Sequence, residues 1–377
     1  MKPVLFVSSM FRSGSTLVAR MLNVHPDIVC ASDPMRPLIN SFRYDLANDT
    51  FRSKNSRYAP LDDYFIHNQD LLNSLLQGDL NQAISCPSHD LLSAVQDRAS
   101  AFSGLYSESI DLNQPLVTYR DAVAYLFETI QRSYAKGKDY RLIAFKEVWS
   151  NEFFPALRRG FPNAKCLMII RDPRSVVASK IATGEPYPYG FMGRQWRKLA
   201  CLSAYLNHHY KNDVLLVRYE DLVSNPEAYI RNICSFCEVA FKEELLDMSL
   251  YKDGRNEEWK QNTSFSDSAT TSINKGTLDK WKSILSPSEL STLELYTYDW
   301  MQAFGYTPEN TLEDLLNVNL NTYKRYQNSE LAEWIRRFSY DDDQQAMERE
   351  IAIEKLRLLS SKNMPPYLKQ AFHLAWW

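Results

Sequence analysis

The chain has 377 residues, with 43 Lys+Arg against 46 Asp+Glu and a formal net charge of −3. That balance supplies no global basic field and argues against a nucleic-acid partner. Hydrophobic residues at 45% and charged residues at 24% suit one large α/β domain plus an accessory part, and no uninterrupted apolar run is long enough to span a membrane.

Val4-Leu5-Phe6-Val7 reads as a buried parallel strand over 3–8. It runs into Ser8-Ser9-Met10-Phe11-Arg12-Ser13-Gly14-Ser15-Thr16, after which Leu17, Val18, Met21 and Leu22 recur at helical spacing and predict a helix over 15–23. A helix start offers unpaired N–H groups and a dipole that favours an anion. Gly14 lets the backbone approach a phosphate, and Arg12 can fork two N–H bonds onto phosphate or sulfonate oxygens. A Walker A loop would need an earlier Gly and a Lys between Gly14 and Ser15, and neither is present.

After this helix comes His25-Pro26, then Asp33 before Pro34, where Asp33 is either a turn cap or a proton acceptor. The residues from about 40 to 140 read as polar loops and short helices such as 68–77 and 120–135, an insertion suited to be an acceptor-binding lid. Strands are predicted at 141–146, 165–170 and 213–218, and helices at 151–160, 175–182, 191–209, 226–237 and 287–304. Alternation of this kind predicts a parallel sheet covered on both faces. Lys146 and Glu147 sit at the end of the 141–146 strand, with a salt bridge between them or to another carboxylate as the plain reading. Leu167-Met168-Ile169-Ile170 runs into Arg171-Asp172-Pro173-Arg174, with Ser179 eight positions after Arg171. Two such strand-to-helix turns suggest one ligand with phosphates at two places.

Tyr187, Tyr189, Phe191 and Trp196 either wall an acceptor pocket or pack in the core. Cys234-x-x-Cys237 lacks a second ligand pair for zinc and reads as reduced core thiols. Ser286-Pro287-Ser288-Glu289 is a capping box, and Gly305 stops the helix it opens. Residues 307–377 form a helical C-terminal extension. In it Asp341-Asp342-Asp343 precedes an apolar-periodic stretch, Pro365-Pro366 stops it, and Phe372, Leu374, Trp376 and Trp377 dock on the core, cap a site or pair two subunits.

Arg12-Ser13-Gly14-Ser15-Thr16-Leu17 resembles the R-S-G-T-T-L loop of sulfotransferases that use 3′-phosphoadenosine 5′-phosphosulfate (PAPS). The resemblance implies that these six residues hold the 5′-phosphosulfate. Arg171 to Ser179 resembles the family's 3′-phosphate element, which assigns Arg171 and Ser179 to that phosphate. Arg218-Tyr219-Glu220-Asp221-Leu222 with Pro226 is similar to the Y-E-D-L-x-x-x-P segment and implies a nucleotide contact for Tyr219. Lys275-Gly276 with Asp279-Lys280-Trp281-Lys282 is similar to the K-G…W-K region that closes over the cofactor, implicating Lys275, Gly276 and Lys280. Gly305-Tyr306 ends the last core helix in the family's manner. The likeness covers roughly residues 3–40 and 140–306, five elements in order.

The implied fold is a three-layer α/β/α domain over 1–306, with a central parallel sheet, a P-loop-like 5′-phosphosulfate loop and the helical insertion, followed by the extension 307–377. The implied reaction moves a sulfuryl group from PAPS to a hydroxyl, less readily an amine, of a small-molecule acceptor and leaves 3′,5′-bisphosphoadenosine (PAP), without a metal. Arg12 is expected to stabilise the leaving phosphate. Asp33 stands where similar enzymes acting on tyrosine place a catalytic Glu, and Glu147 is the second candidate base. Cytosolic relatives carry K-x-H at the 146–148 position. Val148 replaces that His here, leaving Lys146 to assist the sulfuryl group. His25 in the H-P pair is expected to be structural. The alternatives are a P-loop kinase or NTPase, with Ile169-Ile170-Arg171-Asp172 imitating Walker B, or sulfation of a glycan or lipid. A strand opening at Pro3 leaves no room for a signal peptide, so a cytoplasmic protein without nucleic-acid or membrane partners is expected, with a homodimer among the roles for the tail.

Overall fold

A computed structural model describes residues 2–51, 69–135, 137, 139–259, 273, 275–318, 331, 333–336 and 343–362. The strands are β1 (Val4–Ser9), β2 (Ile28–Ser32), β3 (Leu142–Val148), β4 (Ala164–Ile170) and β5 (Val214–Arg218). They form one sheet in the order β2-β3-β1-β4-β5, and every pairing is parallel. All six residues of β1 are buried, which explains its central place: a strand apolar on both faces needs cover on both.

The cover comes from helices at the positions that periodicity dictates. The helices of the first half are α1 (Ser15–Val24), α2 (Arg36–Phe51), α3 (Gln69–Gln77), α4 (Ser88–Ser100), α5 (Gly104–Ser107), α6 (Tyr119–Tyr134) and α7 (Phe154–Gly160). Then follow α8 (Pro173–Ile181), α9 (Tyr189–His209), α10 (Tyr219–Ser224) and α11 (Pro226–Phe236). On one face of the sheet, Leu5 and Val7 pack with Val18, Met21 and Leu22 of α1 and with Ile230 and Ile233 of α11. On the other, Phe6 stacks on Phe145 at 4.8 Å, and Phe145 meets Phe127 of α6 at 5.6 Å. Phe153 links Phe6 to Phe42 of α2. This is the expected three-layer α/β/α arrangement.

Two stretches differ from the sequence expectation. Ile28–Ser32 is a fifth strand, and α2 replaces a predicted loop. A five-residue apolar run behind His25-Pro26 carries no periodicity that separates a strand from the end of a helix. Within 40–140, α6 opens on a full capping box, Thr118 with Asp121, and buries Tyr119, Val123, Phe127 and Ile130. That part of the insertion is a layer of the core.

The chain divides into two compact units. The first comprises the described residues of Met1–Ile170, Leu206–Thr263 and Ser268–Asn274, and the second those of Arg171–Tyr205 and Lys275–Trp377. This division cuts the chain differently from the expected boundary at 306/307. The second unit contains α8, most of α9, α12 (Trp281–Ile284), α13 (Pro287–Ala303), α14 (Leu312–Leu316), α15 (Glu333–Arg336) and α16 (Gln344–Lys362). Ser286 and Glu289 form the predicted capping box of α13, and Gly305 follows it at φ 74°. Buried ion pairs fix α16: Arg197 of α9 meets Glu354 at 2.6 Å, and Arg357 reaches both Glu354 and Asp299 of α13. Burial works to raise the Glu354 carboxyl, but Arg197 and Arg357 overcome it and hold it below its ordinary value. Pro365-Pro366 and the aromatic tail to Trp377 lie outside the described residues.

None of the six cysteines forms a disulfide among the described residues. Burial raises the Cys234 and Cys237 thiols to about 11 and about 12, consistent with inert core thiols. Among the described residues, no helix is long and apolar enough to cross a membrane.

Candidate active site

In the first unit, the carboxyl ends of β1, β2 and β3 bring together one group of the expected site residues. In open α/β sheets this is the edge where ligands bind. The chain leaves β1 at Ser9 and turns through Arg12 at φ 62° into Gly14 at φ 88°, where α1 begins. Gly14 is the N-cap and provides no side chain to bond the first-turn N–H groups, so they remain available to an anion. Ser13 is buried, and its Oγ has no hydrogen-bond partner among the described residues. A Cβ on Gly14 would run into Cδ2 and Cε2 of Tyr219, the first residue of α10 after β5. The loop backbone therefore lies directly against the Tyr219 ring, which brings together two segments the sequence separates by about two hundred residues.

Asp33 follows β2 at φ 50°, and Trp149 follows β3 at φ 59°. Arg12, Asp33 and Trp149 are three of the five non-glycine residues with positive φ among those described, and all three sit at this one edge. Each such conformation costs roughly 1–3 kcal/mol, and clustering of this kind marks functional sites. Phe11 packs edge-on against the Trp149 ring at 4.7 Å, tying the β1 and β3 loops together.

Register explains the charges. Ser32 lies beside Lys146, and Ser8 beside Glu147. Successive strand residues face opposite sides, so Lys146 and Glu147 cannot pair with each other. Lys146 instead donates to Asp33 Oδ2 in an ion pair whose partners are only 4% and 5% exposed. Asp33 Oδ1 is buried and accepts no hydrogen bond from the described residues. Glu147 is fully buried. Its Oε1 accepts from the Met35 N–H at 2.5 Å, and Oε2 lies 3.7 Å from Arg36 Nε. Burial, and then the negative charge of Asp33, push the Glu147 carboxyl up to about 7. Two arginines of α2 hold this strand end: Arg36 donates to the Val148 carbonyl, and Arg43 to the Trp149 carbonyl while pairing with Glu152 at 2.5 Å. No local sequence pattern signals their role. His25 is committed elsewhere, with Nε2 2.7 Å from the Ala240 carbonyl and Nδ1 accepting from the Asp27 N–H at 3.0 Å.

The second unit holds Arg171, Ser179, Lys275, Gly276 and Lys280. Arg171 and Ser179 are buried, and Trp196 Nε1 donates to the Arg171 carbonyl at 2.8 Å. Asp172 caps α8 by accepting from the Arg174 N–H at 2.8 Å and also grips the Arg174 guanidinium. That guanidinium lies over the Trp281 ring at 4.1 Å, and Ser175 Oγ donates to the Leu278 carbonyl at 3.0 Å. The segment carrying the exposed Lys275, Gly276 and Lys280 is thus laid along the helix that carries Ser179. Tyr189, Phe191 and Trp196 are core residues, while Tyr187 is half-buried under Lys180 at 4.2 Å. Among the described residues, no group of three or more His, Cys, Asp or Glu is placed to hold a metal ion.

The sequence matches a model described as "Sulfotransferase family" over residues 3–243, and one described as "Sulfotransferase domain" over residues 189–305. A putative protein-tyrosine sulfotransferase of Caenorhabditis briggsae is 23% identical over 250 residues, covering 64% of this chain and 68% of that protein. A second, of Caenorhabditis elegans, is 29% identical over 108 residues, covering 27% of this chain and 41% of that protein. Among solved structures, the sulfotransferase domain from the curacin biosynthetic pathway aligns with a TM-score of 0.48 at 20% identity, over 81% of this chain and 99% of that one.

Proposed function

The chain belongs to the sulfotransferase family, and from that premise we propose that it moves a sulfuryl group from PAPS to a hydroxyl of a small-molecule acceptor, releasing PAP. The observation that carries the donor reading is the Arg12–Thr16 loop: a glycine N-cap pressed on Tyr219, an orphaned Ser13 hydroxyl and a helix start, which together fit a phosphosulfate. Arg12, Ser13, Gly14, Ser15, Thr16 and Leu17 bind it there. Arg171 and Ser179 take the 3′-phosphate, Tyr219 backs the nucleotide, and Lys275, Gly276 and Lys280 close over it. The two family matches together span residues 3–305, which supports residues 1–306 as the transfer machinery.

The chemistry follows from these positions. Sulfuryl transfer, like phosphoryl transfer, needs its two ends held in line and the shifting charge stabilised. Arg12 and the first-turn amides of α1 stabilise the negative charge that builds on the bridging phosphate oxygen as its bond to sulfur breaks. Asp33 accepts the acceptor's proton. Its Oδ1 is the buried oxygen with no donor, and Oδ2 is fixed by Lys146, so an acceptor hydroxyl would complete the carboxylate's hydrogen bonding. Lys146 lies close enough to Asp33 to assist the transferring group as well. Glu147 shapes the turn after Asp33 through the Met35 N–H, with its side chain shut off from solvent.

The test is thermal stabilisation by PAP against ATP with Mg²⁺. At one hundred times its dissociation constant, a ligand of the folded state adds about 2.7 kcal/mol. PAP is expected to raise the unfolding midpoint and ATP is not; stabilisation by ATP–Mg²⁺ alone would return the loop to the kinase reading.

A further inference from the structure

Arg20 lies on α1, the helix whose first turn forms the phosphosulfate loop, about 7.5 Å along the axis from Ser15. It is only 7% exposed, yet it has no carboxylate within ion-pair distance among the described residues. Its Nη2 donates to the Phe102 carbonyl at 3.3 Å, and its buried Nε has no hydrogen-bond partner among the described residues. A buried guanidinium left in this state is expensive, and such groups are normally paired.

The plain explanation, that Arg20 pins the Phe102 turn, is weak because that turn is already held. Ser103 Oγ bonds both the N–H and the carbonyl of Ser32 at 2.8 Å, and Ser103 N donates to the Ala99 carbonyl at 2.7 Å. The backbone at Gly254 is pressed so close to Phe102 that a Cβ would overlap its carbonyl. The place is also telling. The ring of Phe102 lies 6.0 Å from Lys146 Nζ, and Lys146 holds Asp33. Ser32 Oγ and Asp33 Oδ1, both buried at the end of β2, likewise have no hydrogen-bond partner among the described residues. The Phe102–Ser103 turn thus joins the Arg20 guanidinium to a strand end where a hydroxyl and a carboxylate oxygen also have hydrogen-bonding capacity to spare.

We infer that Arg20 selects the acceptor: it pairs with a carboxylate carried by the molecule whose hydroxyl faces Asp33, so the preferred acceptor is a hydroxy acid. The guanidinium fork matches a carboxylate bidentately. Burial lowers the Arg20 pKa from its ordinary value, opposed only in part by Cys30, Tyr134, Asp253 and Asp33, and a guanidinium keeps its proton in proteins.

This inference rests on the sulfotransferase reading, and the experiment separates the two. Calorimetry on PAP-saturated protein compares 4-hydroxyphenylacetate with its alcohol analogue tyrosol, and 3-hydroxybutyrate with 1,3-butanediol. The expected result is that at least one acid binds roughly 10-fold or more tightly than its alcohol, as a desolvated charge-assisted pair provides. In Arg20→Gln the ratio falls towards one, and in Arg20→Lys it is partly kept. If Arg20 were only a strut, both variants would weaken acid and alcohol alike and leave the ratio unchanged. An unchanged ratio, or no preference for either acid in the wild type, overturns the inference. The PAP-induced rise in melting temperature, recorded on the same samples, reports an intact fold and donor site. Its absence in the wild type would fault the donor reading instead.

Discussion

Replacing Gly14 by Ala tests the core of the proposed donor site, and its effect can be worked out from two features. Gly14 has φ 88°, where an L-residue is strained by roughly 1–2 kcal/mol. The new Cβ would also overlap the Tyr219 ring, and forcing such overpacking costs roughly 1–3 kcal/mol more. Gly184→Ala is the matched control: φ is 76°, but nothing among the described residues lies within 4 Å of the added Cβ, so it carries the backbone cost alone. Gly14→Ala should therefore lower the unfolding midpoint further than Gly184→Ala. Adding Tyr219→Ala to Gly14→Ala should recover part of the difference, measured as a double-mutant cycle. The PAP-induced rise in midpoint should shrink strongly in Gly14→Ala and persist in Gly184→Ala. If the two single variants unfold alike and both keep the PAP effect, the close approach of loop and ring is not what shapes the site.

Asp33→Asn should lose turnover of labelled PAPS by roughly 100-fold or more while PAP still stabilises the protein, since general-base contributions run to that size; near-normal turnover would move the role to Glu147. The Glu147 carboxyl is raised to about 7 from 4.5, so between these values the folded state holds more protons than the unfolded. Stability is then greatest below about 4.5 and falls as pH rises towards 7, by on the order of 3 kcal/mol; Glu147→Gln should flatten that slope in urea titrations. Glu354→Ala strands Arg197 in the interior and should cost about 3–5 kcal/mol, whereas Glu227→Ala, which breaks the exposed pair with Arg231, should cost less than about 0.5 kcal/mol. Equal denaturation midpoints for those two variants would contradict the clamped C-terminal helix.

The strand, loop and helix over Val4–Val24 were legible in the sequence because their parts are contiguous. Val4–Val7, Arg12, Gly14 and the periodic leucines of α1 fall within twenty residues, and each carries its own local signal. The Ser286–Glu289 capping box and the helix after Asp343 were legible for the same reason. The Asp33–Lys146 pair was not, because it depends on β2 lying beside β3, and 113 residues separate the partners. Without β2, the plain reading pairs Lys146 with its neighbour Glu147 or another carboxylate. Strand alternation then turns those neighbours to opposite faces and hands Lys146 to Asp33. Arg20 and Arg36 carry no local signal for a similar reason: burial of a single arginine on a helix is set by what packs over it.

The strand order also bears on how the protein is made. Both neighbours of β1 in the sheet are synthesised late, Ile143 pairing with Val4 in β3 and Ala164 pairing with it in β4, and β2 pairs only with β3. At ribosomal speeds of about 5–20 residues per second, Val4–Ser9 waits roughly 7–30 s after its own synthesis before its first partner strand exists. During that interval an apolar segment and the Arg12–Thr16 loop behind it are held by nothing in the sheet. A chaperone that binds nascent apolar strands would find its earliest target here, and truncated products ending before residue 142 should aggregate rather than form a smaller version of the fold.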